Sequence, residues 1–258
     1  AVYRDKLNET LYGRLLKIPF LRGLVMLWDS LGLGMRALMW SGDTALEEEE
    51  DASFSGPIAW GTIAVSLLLG IGLFFVLPTV ITTALDRFIA SDFWSNMVEG
   101  LVRLVIFLIY LTAISFMPDI RRVFAYHGAE HKTINAYEAG APLVPEKVTE
   151  YSRTHTRCGT GFLLIVMFVF ILVAALFGRP PIVWRLLSRV VLIPIVAGIS
   201  YEIMKFLARN YEKHTWARIL VAPGLTLQKL TTREPELDML EVSIAALQAV
   251  LESEGLAE

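Results

Sequence analysis

The chain has four histidines and one cysteine, and His127, His131, His155 and Cys158 all fall within one stretch of 32 residues. Neutral imidazole nitrogen and thiolate sulfur are the usual protein ligands of zinc and its neighbours, so this clustering is the pattern a metal site needs. The spacing sharpens it. His127-Gly-Ala-Glu130-His131 has the H-x-x-E-H form, in which two histidines one helical turn apart bind zinc and the glutamate activates water, as in inverted zinc peptidases. Glu138, seven residues after His131, joins the same helical face. Two residues separate His155 from Cys158, so one turn can offer both to a single ion. The expected ligands of a divalent metal, zinc first, are therefore His127, His131, His155, Cys158 and Glu138, with Glu130 as general base. Other roles compete residue by residue. Histidines and arginines near a membrane contact headgroups, a cysteine entering a span is often only a small packed residue, and Glu130 has Arg153 and Arg157 within reach as ion-pair partners.

The histidine pair needs a helix. Asp119 follows Pro118, residues up to Glu138 contain no further proline, and Gly140 is a suitable stop, which predicts a helix over 119–138. The reading also makes this helix an extension of the preceding hydrophobic span. Around it the composition is that of a membrane protein: 55% of the 258 residues are hydrophobic, 19% are charged, and mean hydropathy is +0.54. Between Asp51 and Asp86 there is no charge, and roughly 20 apolar residues suffice to cross a bilayer. Four spans are expected, near 57–85, 97–117, 159–178 and 184–207. In the second, Glu99 and Arg103 lie one turn apart and can pair. The fourth, which a tilted or re-entrant segment could replace, carries Arg185, Arg189, Glu202 and Lys205, which must reach an interface or a protein-lined cavity; Glu202 needs a nearby partner, for which the 119–158 loop is one candidate.

The expected class is thus all-α and polytopic, with five segments. These are a basic start, an interfacial helix and an acidic linker (1–55), spans one and two (56–118), the histidine and cysteine loop (119–158), spans three and four (159–208) and a tail (209–258). In the first segment Arg22, Asp29 and Arg36 recur every seven residues, a narrow charged stripe on a helix lying in the interface or packed on the bundle. The linker over 42–55 holds the acidic run Glu47–Asp51. The tail has a Pro223-Gly224 turn and then a helix with Leu237, Leu240, Ile244, Leu247 and Leu251 on one seam, suited to docking on its own chain, to a partner helix or to self-association. Segments 1–40, 121–157 and 205–233 each carry six basic residues, against five elsewhere, which places both termini and the loop in the cytoplasm. The net charge of −3 gives no nucleic-acid signal. The start at Ala1, without a signal-peptide core, points to a native N-terminus upstream.

Three sets of strings resemble one family. Phe124-Ala-Tyr-His-Gly-Ala-Glu-His-Lys-Thr-Ile134 with Tyr151-Ser-Arg153, His155 and Arg157-Cys-Gly-Thr160 is the first. Ala222-Pro-Gly-Leu225 with Leu227-Gln228 and Leu230-Thr-Thr-Arg-Glu-Pro235 is the second, and Pro19-Phe-Leu-Arg-Gly23 the third. They are similar to the YqhQ family of bacterial membrane proteins over nearly the whole chain. The resemblance implies a bacterial inner-membrane protein with no established reaction and a label of metal-dependent enzyme. Family members open with a segment of the type Gly-Gly-Gln-Ala-x-x-Glu-Gly-Val-Met-Met-Arg that this chain lacks. Two functions follow: a membrane-bound metal-dependent hydrolase, or a non-enzymatic assembly factor or translocon-associated subunit whose metal is structural. The lipid bilayer is a partner under either, and a membrane-protein partner or a second copy through the C-terminal helix suits the latter.

Overall fold

A computed structural model describes residues 17–47, 57–178 and 180–255. All regular structure among the described residues is helical: α1 (Leu21–Glu47), α2 (Pro57–Ile71), a π-helical stretch (Gly72–Val76) running into α3 (Leu77–Leu85), α4 (Asp92–Ile114), α5 (Pro118–Glu138), α6 (Pro145–Val148), α7 (Gly159–Ala175), α8 (Ile182–Asn210), α9 (Thr215–Thr231) and α10 (Leu237–Ser253). Among the described residues, three helices are long and apolar enough to cross a membrane: Trp60–Phe88, Asp92–Ile114 and Val183–Asn210. The third expected span, α7, is apolar throughout but has 17 residues, about 25 Å of helix. Apolar side chains such as Leu67, Leu68, Leu69, Ile109 and Leu172 stand exposed on these helices, as lipid-facing side chains do. The chain is an all-α polytopic membrane protein.

Several expectations change. The basic stretch 1–16 and most of the acidic linker, 48–56, lie outside the described residues, while residues 42–47 continue α1 instead of opening the linker. The 119–138 helix exists but does not extend the second span. Met117 is extended (φ −69°, ψ 131°) before Pro118, because proline disfavours the helical conformation of the residue it follows. Gly140 ends the region with φ +68°, as expected of a glycine stop. Pro223-Gly224 is no turn but lies inside α9. A Cβ on Gly224 would stand 3.3 Å from the Cα of Gly161, so this glycine serves close helix packing.

The chain divides into two compact units, Ala1–Ile106 with Val166–Glu202, and Phe107–Ile165 with Ile203–Glu258. In the first, Glu99 is fully buried and takes Arg103 (2.9 Å) and Arg189 (3.1 Å) on one oxygen and Arg185 (2.8 Å) on the other. Arg185 also reaches Asp86 (3.1 Å), and Arg189 reaches Asn96 (2.6 Å). Arg103 donates to the Phe74 carbonyl within the π-helical stretch (2.8 Å), where the helix's own hydrogen-bond register is shifted. The intramembrane arginines thus find protein partners, the condition under which such residues are tolerated there. Glu202 pairs with Arg22 of α1. Gly23 lets that helix lie against Tyr201, so α1 is packed on α8.

The second unit holds the site. Its core joins Ala129 and Ala136 of α5, Val148 of α6, and Leu240 and Ile244 of α10. Two residues of the C-terminal seam therefore dock on the chain itself, whereas Leu237 is exposed.

Candidate metal centre

α5 presents His127 and His131 one turn apart, with ring centroids separated by 4.4 Å. Cys158 directly precedes α7, so its sulfur sits where the helix leaves backbone N–H groups unpaired, and the Thr160 N–H points at it (3.4 Å). His127 Nε2 lies 3.3 Å from Cys158 Sγ. One ligand atom from each of His127, His131 and Cys158 falls within 4.8 Å of the others.

Both imidazoles are fixed from behind by backbone. His127 Nδ1 bonds the Thr231 carbonyl (2.8 Å), and His131 Nδ1 bonds the Arg153 carbonyl (2.7 Å). A carbonyl can only accept, so each Nδ1 carries the proton and each neutral ring keeps its lone pair on Nε2. Metal-binding histidines are oriented in this way.

The two carbonyls arrive by different routes. Residues 231–233 lie on α5 because Gly128 has no side chain: a Cβ there would stand 2.1 Å from the Arg233 carbonyl oxygen. The Arg233 N–H then donates to the Phe124 carbonyl (2.8 Å). Residues 149–154 are pinned by the buried Lys132, whose Nζ donates to the Thr149 (2.7 Å) and Tyr151 (2.9 Å) carbonyls and pairs with Glu234 (2.6 Å). Asn135 adds bonds to the Ser152 (2.7 Å) and Thr154 (3.1 Å) carbonyls.

Electrostatics follow the geometry. Burial pushes the Cys158 thiol up, but hydrogen bonds from His127, His131 and Thr160 outweigh it and bring the pKa to about 5. His127 is raised by its bond to Cys158, against burial, with further help from the Thr231 carbonyl and the charges of Cys158 and Glu130. The lowered pKa favours the Cys158 thiolate, the form that binds metal.

The site opens on a cavity of about 410 Å³ lined by His127, Glu130, His131, Glu138, His155 and Cys158, among others. Of the six residues expected from sequence, three converge and Glu130 borders the space beside them. Glu138 takes His155 Nε2 (3.4 Å) and Arg157 (2.5 Å), and these two expected ligands face each other at the cavity wall. Gln228 fixes His155 by its backbone, accepting from its N–H (2.8 Å) and donating to its carbonyl (2.9 Å). Two imidazole nitrogens and a thiolate, with both rings oriented, are a donor set that could hold a metal ion. Sequence reasoning missed Thr231, Lys132 and Gln228. All three stand inside strings already singled out, but each contact joins a side chain to backbone far along the chain, which no spacing reports.

These features define an all-α membrane protein with a buried His/His/Cys group that can hold a metal ion. The family model described as "Protein of unknown function (DUF1385)" matches residues 18–253, and the chain belongs to that family. It is 36% identical over 255 residues to the uncharacterized protein YqhQ of Bacillus subtilis (strain 168), covering 94% of this chain and 80% of that relative. No solved structure matches.

Proposed function

We propose that this protein is a membrane-bound, metal-dependent hydrolase of the bacterial plasma membrane, with zinc held by His127 Nε2, His131 Nε2 and Cys158 Sγ. The observation that carries the reading is the pair of Nδ1 bonds to the Thr231 and Arg153 carbonyls, which aim two Nε2 lone pairs toward one sulfur. The same His₂Cys set serves copper in electron transfer when a weak axial methionine completes it, but no methionine is among the described residues lining the cavity. When bound with three protein ligands, zinc supplies Lewis acidity at the cavity. Glu130, exposed on the same helix and bordering the cavity, accepts the proton of the attacking water on a carboxylate oxygen and returns it to the leaving group. Glu138, Arg157 and His155 form the opposite wall, where Arg157 orients an anionic group of the substrate.

The membrane side is part of the proposal. Three of the five basic residues outside the cytoplasmic segments, Arg103, Arg185 and Arg189, are consumed by Glu99 inside the helices. The loop-charge bias that sets both termini and the 119–158 loop in the cytoplasm is thereby stronger.

A second reading, a non-enzymatic assembly or translocon-associated subunit with a structural metal, is favoured by the burial of His131 and Cys158 and by ligands drawn from two chain segments, α5 and the residue before α7. Cobalt(II) substitution separates the two. In the hydrolase, adding acetohydroxamate shifts the visible cobalt spectrum, because one coordination position is open. An unchanged spectrum at saturating acetohydroxamate means four protein ligands and supports the structural reading instead.

A further inference from the structure

A second cavity in the same unit, of about 770 Å³, is lined by Arg121, Arg122, Arg153 and Arg233 together with Glu234, Glu236 and Asp238. Glu234 is already neutralised by Lys132 (2.6 Å), so four arginines face the two remaining carboxylates and the space favours an anion. The Nε of Arg233 is buried with no hydrogen-bond partner among the described residues, and its terminal nitrogen reaches only the Ser115 carbonyl, at 3.5 Å. A buried guanidinium N–H left unpaired is costly, and it marks where an acceptor belongs.

The cavity's place in the chain says where that acceptor comes from. Arg121 and Arg122 stand on the first turn of α5, directly after the span Asp92–Ile114. Between them and the span lie Phe116 and Met117, 73% and 52% exposed, and Val123 is also exposed. Apolar side chains bare to the surroundings beside arginines at the end of a span are what the headgroup boundary selects, with chains below and phosphates at guanidinium height. Arginine's planar fork matches two phosphate oxygens.

We propose that this arginine cavity binds a phosphate group, that of a phospholipid headgroup, with Arg233 and Arg153 as its inner donors and Arg121 and Arg122 at its mouth. The carboxylates Glu236 and Asp238 on the far wall suit the hydroxyl or amino part of the headgroup. The site stands independently of any metal, although Arg153 and the 231–233 segment also supply the carbonyl contacts behind the two histidines.

The test uses the full chain in detergent, with native mass spectrometry and thermal shift as readouts. The probes are short-chain phosphatidylglycerol, its deacylated glycerophosphoglycerol and inorganic phosphate. The variants are Arg233→Gln, the exposed pair Arg121→Gln with Arg122→Gln, and Lys147→Gln as a basic control elsewhere. One equivalent of a phosphate-bearing probe should bind saturably, about tenfold or more weaker in both arginine variants and unchanged in the control. Tighter binding of the diacyl probe assigns the site to lipid, and equal binding of the deacylated probes assigns it to a soluble phosphate ester. Should Arg233→Gln fail to fold, the exposed pair still decides. No saturable binding of any probe, or affinity unchanged in the arginine variants, overturns the proposal.

Discussion

In metal-free protein the thiolate absorbance in the ultraviolet comes from Cys158 alone, because the chain has no other cysteine. It is expected to be full at neutral pH and to fall as the pH drops through about 5. His127→Ala removes a bond that lowers this pKa and leaves burial in place, so the midpoint should move up toward the ordinary thiol range. A midpoint unmoved in His127→Ala would mean that the two side chains are not coupled. The sign carries over to stability. The folded thiol's pKa lies below its unfolded value, so its stabilising contribution is complete above the unfolded value and is lost as pH falls through about 5. At this scale the sequence was most informative about types and least about pairings. His127, His131 and Cys158 were legible as a group that could hold a metal because their chemistry is narrow. Glu138 and His155 have the same spacing logic and yet face each other, since helix periodicity sets a direction but not which neighbour fills it.

Elements explain why His127 is aimed at all. Gly128 lets residues 231–233 rest on α5, which brings the Thr231 carbonyl to His127. Gly128→Ala should therefore lift that segment and weaken metal affinity by about tenfold to a hundredfold, the usual effect of removing an orienting partner. Metal titration against a competing chelator measures it, and undiminished affinity would contradict the role given to Thr231. In the other unit, Glu99→Gln leaves three arginines facing a neutral amide. Breaking a buried ion cluster by removing one partner typically costs about 3–5 kcal/mol, so the thermal transition of the detergent-solubilised variant should fall sharply or the protein should fail to accumulate. Helices were readable from sequence where apolar runs and proline punctuation are strong. α9 was misread because Pro223-Gly224 looks like a turn locally, whereas its glycine answers to Gly161, 63 positions away in the chain.

For the whole molecule, helix number and side of the membrane follow from different physics. Among the described residues, length and apolarity give three helices able to span plus the short α7. Sidedness depends on where arginines and lysines end up, and Arg103, Arg185 and Arg189, which the sequence puts within the spans, are paired there with Glu99. On the proposed orientation, a green fluorescent reporter fused after Glu258 should fluoresce in a bacterial host, and alkaline phosphatase fused there should be inactive. Active phosphatase would reverse the orientation and place Cys158 on the oxidising side. The central claim, that His127, His131 and Cys158 hold a metal, is met most directly by elemental analysis of the detergent-purified full chain beside His127→Ala and Cys158→Ala. The expected result is about one zinc per wild-type chain, as for a three-ligand site, with loss of the metal in both variants. Metal-free wild-type protein that still fails to take up zinc on titration, or metal retained in full by both variants, would contradict it.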